Sequence, residues 1–366
     1  MEAGRTAAIQ PRHRASLDLL SGIYGGEPPG LHFGHTYIEV CLPGYVFLDP
    51  LLLTTMFADG LDGILKQDDN YSPLRRRYMQ SPSLPFFLLS TVYHTLRDVP
   101  IPCTPPPPSD STKIRLVCIS DTHTHILPPS EIPAGDILIH AGDLTHSGSA
   151  EELSKTLDWL RSLPHPHKLF IGGNHDTGLA HDDVRASLDV SRGGLTYLDN
   201  ETLDVHVRGR TVRIHGSAWT PQHGNFAFQY PRGGPLAKEL WAGLEEGLDV
   251  LVTHGPPRGH VDGPTGYGCD ALLDAMWRVK PRVMVCGHIH AGRGLERLRW
   301  DGAQRMWEGV VKRRNKVGWG SMLVGVWQLL CAWLAGGTQN ASLILNCAIV
   351  GGARDQLIRT PAVLDV

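Results

Sequence analysis

The stretch IRLVCISDTHTH, residues 114–125, places a short apolar run directly before a polar turn. A run of this length that ends at a turn is typical of a buried β-strand. Four later stretches repeat the plan: DILIH (136–140), KLFI (168–171), VLVT (250–253) and RVMVC (282–286). Helical patterns at Ala150–Leu163 and Asp270–Val279 lie between some of them. Strands that alternate with helices predict an α/β core.

The remaining segments divide the chain. Thr202 to His215 alternates apolar and polar residues, which predicts an antiparallel hairpin. Pro100 to Pro108 is a proline tract, and we expect an extended linker there because proline fixes φ and donates no backbone hydrogen bond. We therefore predict an N-terminal extension over residues 1–99, whose fold has no clear sequence signal, a Pro-rich linker over 100–112 and the α/β domain over 113–366.

Composition excludes several classes of protein. The 366 residues carry 34 basic and 37 acidic side chains, and the net charge of −3 supplies no field to attract a nucleic-acid backbone. The 7 cysteines show no Cys-x-x-Cys spacing, so we expect neither a disulfide framework nor a thiolate zinc site. No apolar run occupies Met1 to Gly22, which favours a cytoplasmic location over secretion.

Each of the five apolar runs is followed by residue types that bind divalent metals. In chain order these are Asp121, His123, Asp143, Asn174, His254, His288 and His290. Open α/β sheets bind ligands at the carboxyl ends of their strands, so we expect these side chains to share one pocket. A sulfur-free set of carboxylate, imidazole and amide suits Mn²⁺, Fe, Zn²⁺ or Ni²⁺. Seven ligands exceed the need of one ion and indicate two sites about 3.5–4 Å apart that share a carboxylate.

Three glycines stand immediately before ligand motifs: Gly142, Gly173 and Gly287. At such positions a tight turn, or a close approach of the backbone to the site, excludes a Cβ atom. We therefore expect these glycines to shape the site.

The ordered motifs Asp-x-His, Gly-Asp, Gly-Asn-His-Asp, a lone His and Gly-His-x-His resemble the calcineurin-like metallophosphoesterase superfamily. The resemblance covers roughly Lys113 to His290 and resumes near Ser342. Val212 to Gly234 and Thr253 to Gly259 further resemble its metallophosphoesterase-domain-containing branch, some members of which are similar to class III cyclic-nucleotide phosphodiesterases. The resemblance implies a four-layer α/β/β/α sandwich, with two sheets packed face to face, helices outside and the metals at one end.

The resemblance also implies roles for the residues of these motifs. It assigns Asp143 as the bridging ligand between two divalent ions, manganese foremost. The first ion takes Asp121, His123 and His290, and the second takes Asn174, His254 and His288. His175 is the implied proton donor, and we expect Asp176 to orient it or to raise its pKa. The implied nucleophile is a hydroxide that bridges the two metals.

The turn after Asp143 bears on which class of substrate the site accepts. Leu144, Thr145 and His146 stand where protein phosphatases of the superfamily carry an Asp-Arg pair, which disfavours a phosphoprotein. We therefore expect a metal-dependent hydrolase of a small-molecule phosphodiester or monoester, a nucleotide included. The alternative is a weakly active, metal-binding regulatory or scaffold protein at a membrane or a partner.

Val317 to Gly336 is nearly as long as the apolar stretch that a membrane span needs, and four basic residues precede it between residues 312 and 316. A single span would separate Ser342 to Val350, the expected closing strand, from the rest of its sheet. We therefore expect an insertion over about 295–341 whose residues 312–336 contact a membrane surface or a partner. The alternative is a helix that packs on the N-terminal segment, with Leu84 to Tyr93 in the same contact.

Further side chains have two interpretations each. His215 and His223 are candidates for substrate contact or ordinary loop groups. We expect three aromatic residues either to line the bottom of the pocket or to pack in the core: Trp219, Phe226 and Phe228. Cys118 and Cys286 lie inside strand runs and are expected to be small core residues.

Overall fold

Two β-sheets form the frame of the described part of the chain. The computed structural model describes residues 77–99, 113–263, 266–335, 341–352 and 355–366, all within the unit Met56–Val366. The strands of the smaller sheet are β2 (Arg115–Ile119), β3 (Ile137–Ala141), β4 (His167–Ile171), β5 (Leu195–Tyr197) and β16 (Ala362–Asp365). Their order is β16-β2-β3-β4-β5. Strands β2 to β5 pair in parallel, whereas β16 is antiparallel to β2.

The larger sheet has seven strands in the part of the chain that the structure describes. They are β1 (Asp98–Val99), β6 (Glu201–Val207), β7 (Arg210–Ser217), β10 (Val250–Thr253), β11 (Val283–Cys286), β12 (Gly294–Arg299) and β13 (Ala341–Asn346), in the order β1-β12-β13-β11-β10-β7-β6. Two short pairs complete the strands, β8 (Thr220–Pro221) with β9 (Gln229–Tyr230) and β14 (Val350–Gly351) with β15 (Gln356–Leu357). The five strands predicted from apolar runs are confirmed to within one residue at each end, and the predicted hairpin is β6–β7.

The closing strand differs from its predicted extent. β13 pairs in parallel with β11 and antiparallel with β12, so it belongs to the larger sheet as expected but lies inside it and not at an edge. It ends at Asn346, however, and the side chain of Asn346 accepts a hydrogen bond from the Ala348 backbone N–H at 3.1 Å. Of the apolar residues that follow, Val350 begins β14 after this turn.

Helices cover the outer faces of the two sheets. They are α2 (Ala150–Ser162) and α3 (Asp182–Leu188), then α4 (Pro235–Ala242) and α5 (Asp270–Val279). Leu116 of β2 and Val252 of β10 lie in one core between the sheets. The neighbouring residue of each strand faces outward: Val117 packs with Leu153 of α2, and Leu251 packs with residues of α4 and α5. Side chains of a strand alternate between faces, so one apolar run serves two cores. The fold is the expected four-layer α/β arrangement.

A separate cluster of helices packs beside the larger sheet. It comprises α1 (Leu84–Arg97), α6 (Gly302–Lys312) and α7 (Trp319–Leu334). β1 follows α1 directly and pairs with β12, so Asp98 and Val99 of the predicted N-terminal extension belong to the larger sheet. The Pro-rich linker and residues 1–76 lie outside the described residues, and the division at residues 99 and 112 stays a prediction.

Helix α7 corresponds to the apolar segment Val317–Gly336. Met322, Gly325 and Leu329 are buried against α1 and α6, as the packing alternative requires. A Cβ atom at Gly325 would lie 2.9 Å from the Leu89 methyl carbons, so the two helices approach closely at this glycine. None of the helices in the described ranges has the length and apolar character that crossing a bilayer requires.

A buried polar network joins this helical cluster to the sheet. The Tyr93 hydroxyl donates to Glu296 and accepts from Gln304 Nε2 at 2.9 Å. His260 Nδ1 lies 3.0 Å from Glu296 Oε1, and its Nε2 lies 3.6 Å from Glu308 Oε1. Burial opposes the charge of His260, but the adjacent Glu296 and then Glu308 raise its pKa to about 10. The network therefore encloses a buried ion pair, and loss of one partner would cost about 3–5 kcal/mol.

The raised pKa of His260 predicts a pH dependence of stability. From its ordinary value of 6.5 the pKa rises to about 10 on folding, so the stabilisation is complete below about pH 6.5 and is lost as the pH rises through about 10. We expect His260→Gln to remove this part of the decline, measured as the free energy of unfolding in urea across that range. His206→Gln, at an exposed position of β6, is the matched control. Parallel curves for wild type and His260→Gln would contradict the assignment.

Candidate metal centre

The loops after five strands bring the seven predicted ligands together. Asp121 and His123 follow β2, Asp143 follows β3, Asn174 follows β4, His254 follows β10, and His288 and His290 follow β11. Their donor atoms form two groups, Asp121 with His123 and His290, and Asp143 with His254 and His288, each with all atoms within 4.8 Å of one another. Asn174 Oδ1 joins the second group at 3.1 Å from His254 Nε2. The smaller sheet thus supplies both carboxylates and the larger sheet supplies three histidines.

Asp121 is fully buried, and its side chain connects the loop after β2 with the loop after β11. The His288 backbone N–H donates to both of its carboxylate oxygens at 3.0 Å. His290 Nε2 lies 3.2 Å from Asp121 Oδ1. Burial opposes ionisation, but the hydrogen bond and the charge of His290 hold the pKa of Asp121 below its usual range.

Asp143 lies between the two groups. Its Oδ2 is 3.2 Å from His254 Nε2 in the second group and 3.9 Å from His123 Nε2 in the first. Its Oδ1 accepts the His175 backbone N–H at 2.8 Å. Burial opposes the charge, yet His254 and then His123 hold the pKa of Asp143 below its usual range. A carboxylate that faces both groups has the position of a shared ligand.

The hydrogen bonding of two histidines tests whether the site suits a cation. His254 Nδ1 donates to the Ala141 carbonyl at 2.9 Å, which turns Nε2 toward Asp143 Oδ2 and Asn174 Oδ1, two acceptors. Burial lowers the pKa of His254, but Asp143 outweighs it and raises the pKa to about 9. Both ring nitrogens of His123 are buried without any hydrogen-bond partner. Buried polar atoms are rarely left in this state, so the donor set fits divalent cations.

The backbone of the site is strained. Four of the seven ligand candidates have φ in the left-handed region: Asp121 (54°), His123 (42°), Asp143 (50°) and His288 (63°). Each such non-glycine residue costs about 1–2 kcal/mol, and such strain clusters at functional sites. The glycine prediction is confirmed at all three positions. A Cβ at Gly142, where φ is 93°, would lie 2.6 Å from His254 Nδ1. One at Gly173 would lie 2.2 Å from Asp143 Oδ1, and one at Gly287 would lie 2.1 Å from Asp121 Oδ2.

His175 lies half-buried beside the first group. Its Nδ1 is 2.8 Å from the His146 carbonyl oxygen, which can only accept, so Nδ1 carries a proton and Nε2 is the remaining site for a second proton. Its ring centroid is 4.9 Å from that of His123 and 4.7 Å from that of Phe226. Of the three aromatic residues considered for the pocket floor, Phe226 therefore lies at the site, whereas Trp219 and Phe228 contact each other edge to face.

Asp176 is fully buried beneath this loop. Its carboxylate accepts backbone N–H groups of Leu144, Thr145 and Gly173 and the Thr145 hydroxyl, at 2.7–3.1 Å. Burial, followed by the charge of Asp143, raises the pKa of Asp176 to about 6. Asp176 therefore joins the loops after β3 and β4. The His175 ring is oriented instead by the hydrogen bond that its Nδ1–H donates to the His146 carbonyl.

Two further residues lie at the site without having been identified from sequence. The exposed ring of His146 forms a third group with His123 and His175. Asp355 Oδ1 lies 3.4 Å from His290 Nδ1, and its Oδ2 lies 4.0 Å from His146 Nδ1. The spacing Gly-Asp-x-x-His offered a signal for His146, whereas no local pattern distinguishes Asp355.

The other candidates fall elsewhere. His215 Nδ1 lies 3.0 Å from Thr202 Oγ1 within the β6–β7 hairpin, and the His223 carbonyl accepts from Gln229 Nε2. Neither belongs to the three groups found among the described residues. Cys118 and Cys286 are fully buried core residues, as expected.

A two-sheet α/β protein with a candidate metal centre at its strand ends has known relatives. Residues 114–292 match the model of the calcineurin-like phosphoesterase family. Over 200 residues the chain is 38% identical to UPF0046 protein K07C11.7 of Caenorhabditis elegans, covering 52% of this chain and 68% of that protein. Over 220 residues it is 38% identical to human metallophosphoesterase domain-containing protein 1, covering 54% of this chain and 66% of that protein. The chain belongs to the calcineurin-like phosphoesterase family.

Two other matches have limited scope. The chain is 40% identical over 268 residues to the probable rhamnogalacturonate lyase C of Emericella nidulans, a match that covers 69% of this chain but 24% of that protein. The crystal structure of a Thermus thermophilus protein, TT1561, aligns with 51% of this chain and 84% of that chain, at 13% identity and a TM-score of 0.38.

The close approach at Gly287 gives a test of the site geometry. A Cβ atom there would lie 2.0 Å from Ser120 Oγ and 2.1 Å from Asp121 Oδ2, so Gly287→Ala displaces Asp121. We expect this variant to keep its circular dichroism spectrum and to lose most of its bound metal, measured by elemental analysis after dialysis against Mn²⁺. Gly309→Ala in α6, with no atom within 4 Å of the new Cβ, is the control. Metal content equal to wild type in Gly287→Ala would refute the geometry.

Proposed function

We propose that this chain hydrolyses small-molecule phosphoesters with two divalent cations, manganese foremost. The observation that carries the proposal is the convergence of six sulfur-free ligand candidates around the carboxylate of a seventh, Asp143. One cation would be held by Asp121, His123 and His290, and the other by Asn174, His254 and His288. Membership of the calcineurin-like phosphoesterase family supports the reaction class.

The chemistry divides between the cations and the chain. Bound divalent cations would supply Lewis-acid stabilisation of phosphate charge and a water of lowered pKa. The chain's own part is to hold the ligands in their strained loops and to deliver a proton. His175, oriented through Nδ1 by the His146 carbonyl, would present a proton at Nε2 to the leaving oxygen of the ester. Asp355, at 3.4 Å from Nδ1, would orient His290.

Two exposed side chains border the site beside His175. His146 and Phe226 flank His175, and both side chains are exposed. His146 stands in the turn where the protein phosphatases carry their Asp-Arg pair. We propose that the phosphate sits beside the imidazoles and that the organic group of a phosphodiester or monoester contacts Phe226.

The shared position of Asp143 predicts a distinctive metal stoichiometry. We expect Asp143→Ala to lower the occupancy of both cations, because its carboxylate faces both groups, and His254→Ala to lower mainly one. The measurement is metal content per chain, together with hydrolysis of bis-p-nitrophenyl phosphate with Mn²⁺ and with chelator. Two ions retained in Asp143→Ala would refute the bridge, and full turnover of metal-stripped protein would refute metal dependence. Two bound ions without turnover of any tested phosphoester would instead favour the regulatory or scaffold function.

The role of His175 predicts a dependence on the leaving group. General acid catalysis contributes about 10²–10⁴ in rate when the leaving oxygen needs a proton. We expect His175→Ala to keep its metal and to lose about 100-fold or more in kcat for alkyl phosphoesters, with a much smaller loss for p-nitrophenyl esters. His181→Ala, an exposed histidine before α3, is the control. Equal losses for both ester classes would mean that His175 positions the phosphate instead.

A further inference from the structure

Helix α7 presents a continuous apolar face to solvent. Five of its exposed apolar residues recur at intervals of three or four: Trp319, Leu323, Trp327, Leu330 and Leu334. This spacing places them in one stripe along the helix. The stripe is well exposed, since Trp327 is 69% and Leu334 is 74% accessible. No charged residue occurs from Val317 to Leu334.

The opposite face holds the helix in place. Met322 and Leu329 are buried in the cluster with α1 and α6, and Gly325 lies against the Leu89 methyl groups. The exposed stripe is therefore presented by a helix that is packed from behind. Monomeric proteins rarely expose contiguous apolar patches of this kind without an interaction to serve.

Basic residues border the stripe at the N-terminal end of α7. The turn from Lys312 to Lys316 carries four of them, and the side chains of Arg313 and Lys316 are exposed. Lys312 pairs with Asp270 at 3.1 Å, and Arg314 Nη2 donates to the Gln80 carbonyl. No Asp or Glu occurs between Glu308 and Asp355. The surface thus combines exposed aliphatic and tryptophan side chains with a predominantly basic turn, in which Asp270 pairs with Lys312.

The combination of apolar and basic side chains indicates which kind of partner this surface binds. A second copy of the same face would bring basic turns and apolar stripes together without a single acidic residue from these segments to pair with them. An anionic bilayer matches both the basic turn and the apolar stripe. Its headgroups attract Lys and Arg, while Trp and Leu enter the boundary of the acyl chains. The helix has 16 residues, about 24 Å, which suits a position in the plane of the surface.

We propose that α7, together with the basic turn at residues 312–316, is a docking surface for membranes that contain anionic lipid. Trp319, Trp327 and the leucines of the stripe enter the interface, and Arg313 and Lys316 contact the lipid phosphates. The proposal concerns location and is independent of the phosphoesterase chemistry.

The test is flotation of the full-length chain with vesicles of phosphatidylcholine and phosphatidylserine, against vesicles of phosphatidylcholine alone. We expect binding to the anionic vesicles that weakens as salt rises. The double variant Arg313→Gln, Lys316→Gln should bind about thirtyfold more weakly, since each basic residue near such a surface contributes about fivefold. Trp327→Glu should abolish flotation. Leu334→Gln, at the last residue of the helix, should weaken binding with little risk to folding.

Matched controls come from helix α4, where Leu236 and Lys238 are exposed. Leu236→Glu and Lys238→Gln should bind as wild type, and circular dichroism establishes that each variant is folded. No flotation of wild type at low salt would overturn the proposal. Flotation that survives both Trp327→Glu and Leu334→Gln would also overturn it, because another surface would then bind. Self-association in sedimentation that Trp327→Glu abolishes, without flotation, would assign the face to a second copy instead.

Discussion

The buried carboxylate of Asp143 is the charge around which the site is built. It lies between two groups of ligand atoms, and histidine rings approach it from both sides. An ionised carboxylate in this environment needs compensating positive charge and hydrogen bonds. The His175 backbone N–H satisfies one oxygen, and Asp143 itself has a left-handed backbone with φ of 50°. The close packing around this carboxylate also explains the glycine at position 173, because a Cβ atom there would collide with the carboxylate.

The four-layer architecture makes this site possible because its ligands come from both sheets. Asp121, Asp143 and Asn174 follow strands of the smaller sheet, and His254 and His288 follow strands of the larger one. The separation of donor atoms therefore depends on how the inner faces of the sheets pack. Interiors are close-packed and resist deformation, so the core between the sheets fixes the ligand distances while the turns carry the strain.

Much of the fold and site follows from local patterns. Strand bounds and the helix at Asp270–Val279 are evident from the apolar runs, and Asp121 or His254 is identified because it directly follows such a run. The residues that were missed depend on tertiary placement. Asp355 reaches His290 across 65 positions of sequence, and His260 sits in a loop that meets Glu296 of β12 and Glu308 of α6. The two faces of α7 could not be told apart by composition, because both are apolar and the positions of α1 and α6 decide which is covered.

The most direct test of the account is the anomalous scattering of Mn²⁺ in crystals of the metal-loaded chain. We expect two peaks, about 3.5–4 Å apart, one on either side of the Asp143 carboxylate. The first should be ligated by Asp121, His123 and His290 and the second by Asn174, His254 and His288. A single peak, or a pair of peaks that Asp143 does not join, would contradict the central claim.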